Sequence, residues 1–175
     1  MREAHNPHLA IEALRRLLEG KMREVTRNNI VRQQSFSDRL MELMRKYTNQ
    51  NLTAAQIIEE LVRLAQEVSA DANRGQSFAP PLDMNELAFY DAVAANESAV
   101  SVMGEGKLAD IARELVRIVR QDVKTDWVYR DDVRAKLRTT IKRLLAKHGY
   151  PPDAQPEAIA LVIRQMESFA DDWAK

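Results

Sequence analysis

The sequence contains no cysteine, and this absence excludes several classes of function at once. A disulfide framework, a zinc site with thiolate ligands and a cysteine nucleophile all require that residue. Glycine (5 residues), proline (6) and aromatic residues (6%) are scarce, which argues against β-sandwiches and barrels because these folds need many turns. No apolar run approaches the roughly 18–20 residues that span a bilayer, and the N-terminus has no signal-peptide pattern. The composition therefore predicts a soluble, cytoplasmic, mostly helical protein.

A net charge is also absent, since 26 basic residues balance 26 acidic ones over 175 positions. The balance is uneven along the chain: +4 over residues 1–51, −7 over 52–112, +6 over 113–148 and −3 over 149–175. A segregated basic segment favours association with an acidic partner. The overall neutrality is not typical of nucleic-acid-binding domains, which usually carry a basic excess.

Apolar residues recur at helical spacing along nearly the whole chain, without a period-2 strand pattern. Helix starts are predicted from capping residues at Asn6–Pro7, at Ser35 or Ser37, at Thr53 with Gln56, and at Asp83 with Glu86. The first helix is expected to bury Leu14, Leu17, Leu18, Met22 and Val25. Later helices are predicted around Leu108–Val119, Val133–Leu145 and Ile159–Trp173, with Gly149 ending the second of these.

The clearest interior break lies at residues 73–82, which contain Gly75 and the pair Pro80–Pro81. It divides the chain into two candidate subdomains, residues 1–73 and 83–175. A looser stretch with Gly104 and Gly106 is expected before Leu108. The predicted fold class is all-α, a bundle of about seven helices.

Patterns that could carry chemistry are weak. Gly104–Lys107 matches a phosphate loop only in part, because Ser101 and Leu108 stand where a Walker motif needs Gly and Ser or Thr. A plain inter-helix turn is therefore expected there. His5 and His8 lie at the frayed start with Pro7 between them, and no carboxylate is expected to complete a metal-ligand set with them, so exposed histidines are expected.

Three pairs of adjacent acidic residues are interpreted as helix surface, because neighbouring helical residues point about 100° apart and do not converge on one substrate atom. One pair, Asp131–Asp132, is expected at a helix start, where carboxylates stabilise exposed amides. The others are Glu59–Glu60 and Asp171–Asp172. No catalytic residue and no metal ligand is predicted.

Two basic stretches are a stronger indication of function than these candidate catalytic and metal-binding patterns. On one helix, three cations lie on the same face, within about 60° of one another around the helix axis: Arg113, Arg117 and Arg120. On the later helix, one row is formed by Arg134, Arg138 and Lys142 and a second by Lys136, Arg143 and Lys147. Either the long stems cover the edges of a buried face while their charged heads stay in water, or the rows dock on an acidic protein surface or on phosphates. Trp127 and Trp173 are predicted as core anchors rather than stacking platforms, with a partner-facing position as the alternative for Trp173.

Four stretches, taken in order, resemble the C-terminal helical region of the R (restriction and motor) subunit of type I restriction enzymes. They are NPHLAIEALRR from residue 6, LTAAQIIEELVRLAQEV at 52–68, ELAFYDAV at 86–93 and DWVYRDDVRAKLRTTIKRLLAKHGYPP at 126–152. The resemblance covers essentially the whole chain. The family-motif positions to which it gives a structural role are Phe89, Tyr90, Asp91, Trp127 and Leu137.

The resemblance implies a subunit with a nuclease domain and two RecA-like motor domains that translocate DNA with ATP. It also implies that the C-terminal helical region joins this subunit to a methyltransferase core, which consists of modification and specificity subunits. Those subunits and the motor and nuclease domains are the expected partners, with duplex DNA as a weak one and no membrane. No cofactor is expected in these residues, because ATP and Mg²⁺ would serve the absent domains.

Two functional hypotheses remain open. The first is a non-catalytic assembly module whose Arg134, Arg138 and Lys142 help contact an acidic surface. The alternative is direct binding of duplex DNA phosphates through both basic stretches, with a steep dependence on salt.

Overall fold

The computed structural model describes residues 7–122 and 130–173, and these residues form seven α-helices and two short 3-10 helices without a strand. The predicted all-α class is therefore confirmed. The helices are α1 (Pro7–Val25), α2 (Ile30–Thr48), α3 (Ala54–Asp71), α4 (Met84–Val93), α5 (Glu97–Asp122), α6 (Asp131–Lys147) and α7 (Gln155–Trp173). The 3-10 helices are Arg74–Ser77 and Pro152–Ala154.

Two helices begin with the reciprocal hydrogen bonds that their sequences predict. At α3 the backbone N–H of Gln56 donates to the Thr53 hydroxyl oxygen at 3.1 Å, and the Thr53 N–H donates to Gln56 Oε1 at 2.8 Å. Asp83 and Glu86 form the same box before α4, at 2.8 and 3.0 Å. Because both bonds connect residues three apart, local sequence is enough to specify these starts.

The predicted start of α2 at Ser35 or Ser37 is wrong, because the helix begins at Ile30. Its first turn is supported by a distant residue: the N–H of Ile30 donates to Oε1 of Gln165, on α7, at 3.0 Å. A side chain 135 residues away thus accepts from an amide that would otherwise lack an intrahelical partner.

The expected loose stretch around Gly104 and Gly106 is instead a kink inside α5. Only Gly104 departs from helical geometry, with φ 79° and ψ 160°, and residues 105–122 continue as helix. The predicted end of α6 at Gly149 is confirmed. Gly149 takes φ +80°, a left-handed conformation that lets the N–H of Tyr150 donate to the carbonyl of Leu145 at 2.9 Å.

The chain divides into two compact units, each with its own apolar core. Unit 1 comprises Met1–Arg27 and Arg32–Arg74, and unit 2 comprises Asn28–Val31 and Gly75–Lys175. The buried apolar residues of unit 1 are Ile11, Leu18, Met22, Phe36, Leu40, Ile57, Leu61, Leu64 and Val68. Leu17, expected on the buried face of α1, is 73% exposed, since it lies on the side of the helix away from Leu18 and Met22.

The core of unit 2 is larger and is built by α4, α5, α6 and α7. Helix α4 is buried on every side from Leu87 to Val93, while α5 contributes Leu108, Ile111 and Leu115 among others. Helix α6 turns Leu137, Ile141, Leu144 and Leu145 inward. This one-sided burial of α6 leaves the opposite side of that helix in solvent.

Candidate partner-binding surface

The motif positions Phe89, Tyr90 and Asp91 lie side by side in α4, and all three are buried. The Phe89 ring packs on Phe169 of α7, with centroids 5.3 Å apart, and the Tyr90 ring meets Phe78 edge-on at 4.8 Å. Leu137 is likewise buried, in α6. Trp127 and the side chain of Trp173 lie outside the described residues. Phe89, Tyr90 and Leu137 are therefore packing residues of unit 2.

Asp91 holds a polar contact inside this apolar setting. Nδ2 of Asn29 donates to Oδ2 of Asp91 at 2.7 Å, and both residues are at least nine-tenths buried. Gln165, fully buried on α7, accepts from the Ile30 N–H and donates through Nε2 to the carbonyl of Asn28. Two buried side chains of unit 2 thus fix the short segment Asn28–Val31. Buried polar groups require such partners, so this contact is structural.

Gln165 was not singled out from the sequence, although a signal existed. It lies within the apolar arc of α7, beside Val162 and Met166, where an amide is unexpected unless it has a buried partner.

The three cations predicted on α5 differ in their surroundings. Arg113 is largely buried and pairs with Asp110 at 2.8 Å, while its Nη2 donates to the carbonyl of Pro80 at 2.6 Å. Arg120 is exposed and lies 3.7 Å from Asp83. Arg117 is exposed and makes no hydrogen bond or ion pair with a residue in the described ranges. Of the three predicted cations, only Arg117 is therefore exposed and without such a partner in the described ranges.

Ion pairs with neighbouring helices lie near both ends of α6. Arg134, the first member of the predicted row, pairs with Glu167 of α7 at 2.7 Å. At the other end, Glu114 of α5 lies 3.8 Å from Lys147 and 3.3 Å from Nε2 of His148. Arg134 is only about a quarter exposed, because it stands eleven residues, or about three turns, before the buried Leu145. These contacts lie beside the buried apolar face of α6, which orients the helix against the core of unit 2.

The remaining cations of α6 form its solvent-facing side. Four exposed residues make no ion pair with any residue of 7–122 or 130–173, and we call them the α6 cation surface: Lys136, Arg138, Lys142 and Arg143. After Asp131 and Asp132 in its first turn, α6 contains no acidic residue. The predicted rows are therefore present, but without Arg134 and Lys147.

Of the residues considered for other chemistry, those that the structure describes lie on helices. Gly104–Lys107 lies within α5, and Glu60 pairs with Arg63 at 2.7 Å. The His8 imidazole contacts the Tyr47 hydroxyl, and His5 lies outside the described residues. Asp131 and Asp132 begin α6 as predicted. Among the described residues no group of three or more His, Asp or Glu could hold a metal ion.

A groove of about 350 Å³ lies in unit 1, between α2 and α3. Leu43 and Leu64 contribute its apolar lining, while Arg63 pairs with Glu60 and Arg39 with Glu67 around it. Its cations are therefore already neutralised. In the described part of the chain, no helix is long and apolar enough to cross a membrane.

The fold and the α6 cation surface define an all-helical chain with a strongly basic helix face. A family model described as type I restriction enzyme HindI endonuclease subunit-like, C-terminal, matches residues 1–172. The HindI endonuclease subunit of a type I restriction enzyme from Haemophilus influenzae is 36% identical over 165 residues, which are 94% of this chain. A protein of Methanocaldococcus jannaschii, named provisionally as the MjaIXP endonuclease subunit, is 32% identical over 139 residues, or 79% of the chain.

The chain therefore belongs to the family of C-terminal regions of HindI-like endonuclease subunits of type I restriction enzymes. The matched regions are 16% and 13% of the lengths of the two relatives. No solved structure matches the chain.

Proposed function

We propose that this chain is an assembly module, which joins the endonuclease subunit of a type I restriction enzyme to its methyltransferase core of modification and specificity subunits. Membership of the C-terminal endonuclease-subunit family carries this proposal. The motor and nuclease parts of the subunit are the module's other partners. ATP and Mg²⁺ act in those parts and not in residues 1–175.

Local contacts support an assembly role over a catalytic one. Several side chains of the kind that acid–base chemistry needs are instead engaged with other helix residues, as for Glu60 with Arg63 and His148 with Glu114. A catalytic site instead needs a nucleophile or base aimed into a cleft, with a partner that orients it. Arg138 and Lys142, which are exposed and form no ion pair with a described residue, are better suited to recognition.

The test mixes purified residues 1–175 with the cognate methyltransferase core and follows co-elution by size exclusion. The module is expected to elute with the core, and an excess of it is expected to inhibit DNA cleavage by the complete enzyme, because it occupies the endonuclease subunit's place. The proposal is wrong if the module elutes alone and leaves cleavage unchanged.

Direct binding of duplex DNA is the second candidate, and the exposed cations Arg117, Arg138 and Lys142 favour it. If these three contact phosphates, the affinity for DNA should fall about 40-fold between 50 and 200 mM salt, from a slope of roughly −0.9 per contact. A titration of a duplex with residues 1–175 at both salt concentrations measures this fall. An affinity that changes less than about threefold over this range excludes the candidate.

A further inference from the structure

The α6 cation surface is compact and directional. Along the helix, Lys136 and Arg143 lie about 10 Å apart, and Arg138 and Lys142 about 6 Å apart, from a rise of roughly 1.5 Å per residue. The two pairs project on either side of the exposed line that runs through Ala135 and Thr139. Their charges are not neutralised by acidic neighbours on the same helix, because α6 has none beyond its first turn.

The unit beneath holds this surface in place. Four apolar side chains of α6 lie buried below the surface, Arg134 pairs with Glu167 near the start of the helix, and Glu114 lies 3.3 Å from His148 just after its end. Binding therefore requires little reorganisation of the helix, only ordering of the four long side chains. A pre-oriented set of charges of one sign suits a partner with a complementary pattern.

We infer that the α6 cation surface is the docking face for a carboxylate-rich protein surface on the methyltransferase core. The inference rests on the proposed function and adds the face and the chemistry of its partner. Charge distribution favours a protein over DNA. Residues 75–175 carry 14 Lys and Arg against 16 Asp and Glu, so the α6 cation surface is a local concentration of positive charge on a part of the chain that is slightly acidic as a whole. A duplex would also approach these acidic residues, whereas a local protein contact need not.

The experiment compares two charge-reversed variants of residues 1–175, each with two substitutions. The first carries Arg138→Glu and Lys142→Glu, and the second carries Lys136→Glu and Arg143→Glu. The control, Lys21→Glu with Lys46→Glu, changes the net charge by the same amount at exposed positions of α1 and α2. A fourth variant, Arg138→Lys with Lys142→Arg, keeps the charge and changes the shape. Circular dichroism checks that each variant remains helical, and the dissociation constant for the cognate core is measured alongside that for a duplex DNA.

Each reversed pair is expected to weaken binding to the core about tenfold or more, while the control and the charge-preserving variant stay within about threefold of the original chain. Equal binding by all variants would overturn the inference and leave the proposed function standing. Loss of duplex affinity with unchanged affinity for the core would overturn it in favour of a nucleic-acid surface. If the unmodified chain does not bind the core, the proposed function and the inference both fail.

Discussion

Replacing Gly75 by alanine is expected to destabilise unit 2 strongly, because the structure leaves no room for a methyl group. A Cβ at position 75 would lie 2.2 Å from the carbonyl oxygen and 3.3 Å from the carbonyl carbon of Leu82. The oxygen belongs to the backbone, so no side-chain rotation relieves the clash. The two segments would have to separate by about 1 Å to reach ordinary contact distance.

The loss in free energy of unfolding follows from the two contacts of Leu82 that this separation would weaken. The N–H of Leu82 donates to the carbonyl of Gly75 at 3.0 Å, a bond of about 1 kcal/mol. The Leu82 side chain is 3% exposed, and partial loss of its burial adds about 1–2 kcal/mol. Gly75→Ala should therefore lower the free energy of unfolding by about 2–3 kcal/mol.

Gly106→Ala is the matched control, since it makes the same chemical change in the helical part of α5, where a Cβ meets nothing within 4 Å. Alanine is the better helix former by about 1 kcal/mol, so this variant should be stabilised. Thermal unfolding followed by circular dichroism should show a midpoint about 4–12 °C lower for Gly75→Ala and about 2–4 °C higher for Gly106→Ala. Equal shifts in the two variants would refute the packing assigned to Gly75.

The remaining predictions concern three polar contacts of unit 2, each measured by denaturant unfolding. Tyr150→Phe removes a hydroxyl that donates to the Val93 carbonyl at 2.7 Å and should cost about 1–2 kcal/mol. Burial, with a smaller effect of Glu157, raises the pKa of Tyr150 to about 12. Since the unfolded phenol ionises near pH 10, this contribution is complete below pH 10 and is lost as pH rises toward 12, so the variant's deficit should shrink over that range. Gln165→Leu should cost about 1–3 kcal/mol, because the Ile30 N–H loses its acceptor. Arg134→Met should be destabilising, whereas Arg138→Met should change stability by less than about 0.5 kcal/mol, because only Arg134 pairs with Glu167.

Features of the fold that depend on residues close together in the sequence were predictable from the sequence. The capping boxes at Thr53 and Asp83 and the glycine end of α6 join residues within one turn, so the local pattern contains all the information needed. The start of α2 was not predictable in this way. Its first amide is accepted by Gln165, and no pattern near Ile30 reveals a partner on the last helix.

The helix that carries the α6 cation surface was predictable from the sequence, but the residues that form this surface were predictable only in part. Helical spacing places Arg134, Arg138 and Lys142 in one row, but spacing does not show that Glu167 of another helix stands opposite Arg134. The pair of Asp110 with Arg113 does follow from their separation of three residues along α5. Partners on other helices or on the preceding turn decide which cations remain exposed and unpaired. The resemblance of the sequence to the C-terminal region of type I restriction enzyme R subunits is confirmed by the family match over residues 1–172.

The most direct test of the account is the dissociation constant of residues 1–175 for the cognate methyltransferase core, measured by isothermal titration calorimetry at 150 mM salt. An assembly module predicts saturable binding with a dissociation constant of about 1 µM or tighter, equivalent to roughly −8 kcal/mol. The absence of saturable binding up to about 1 mM, with the chain helical and monodisperse, would contradict the assembly role.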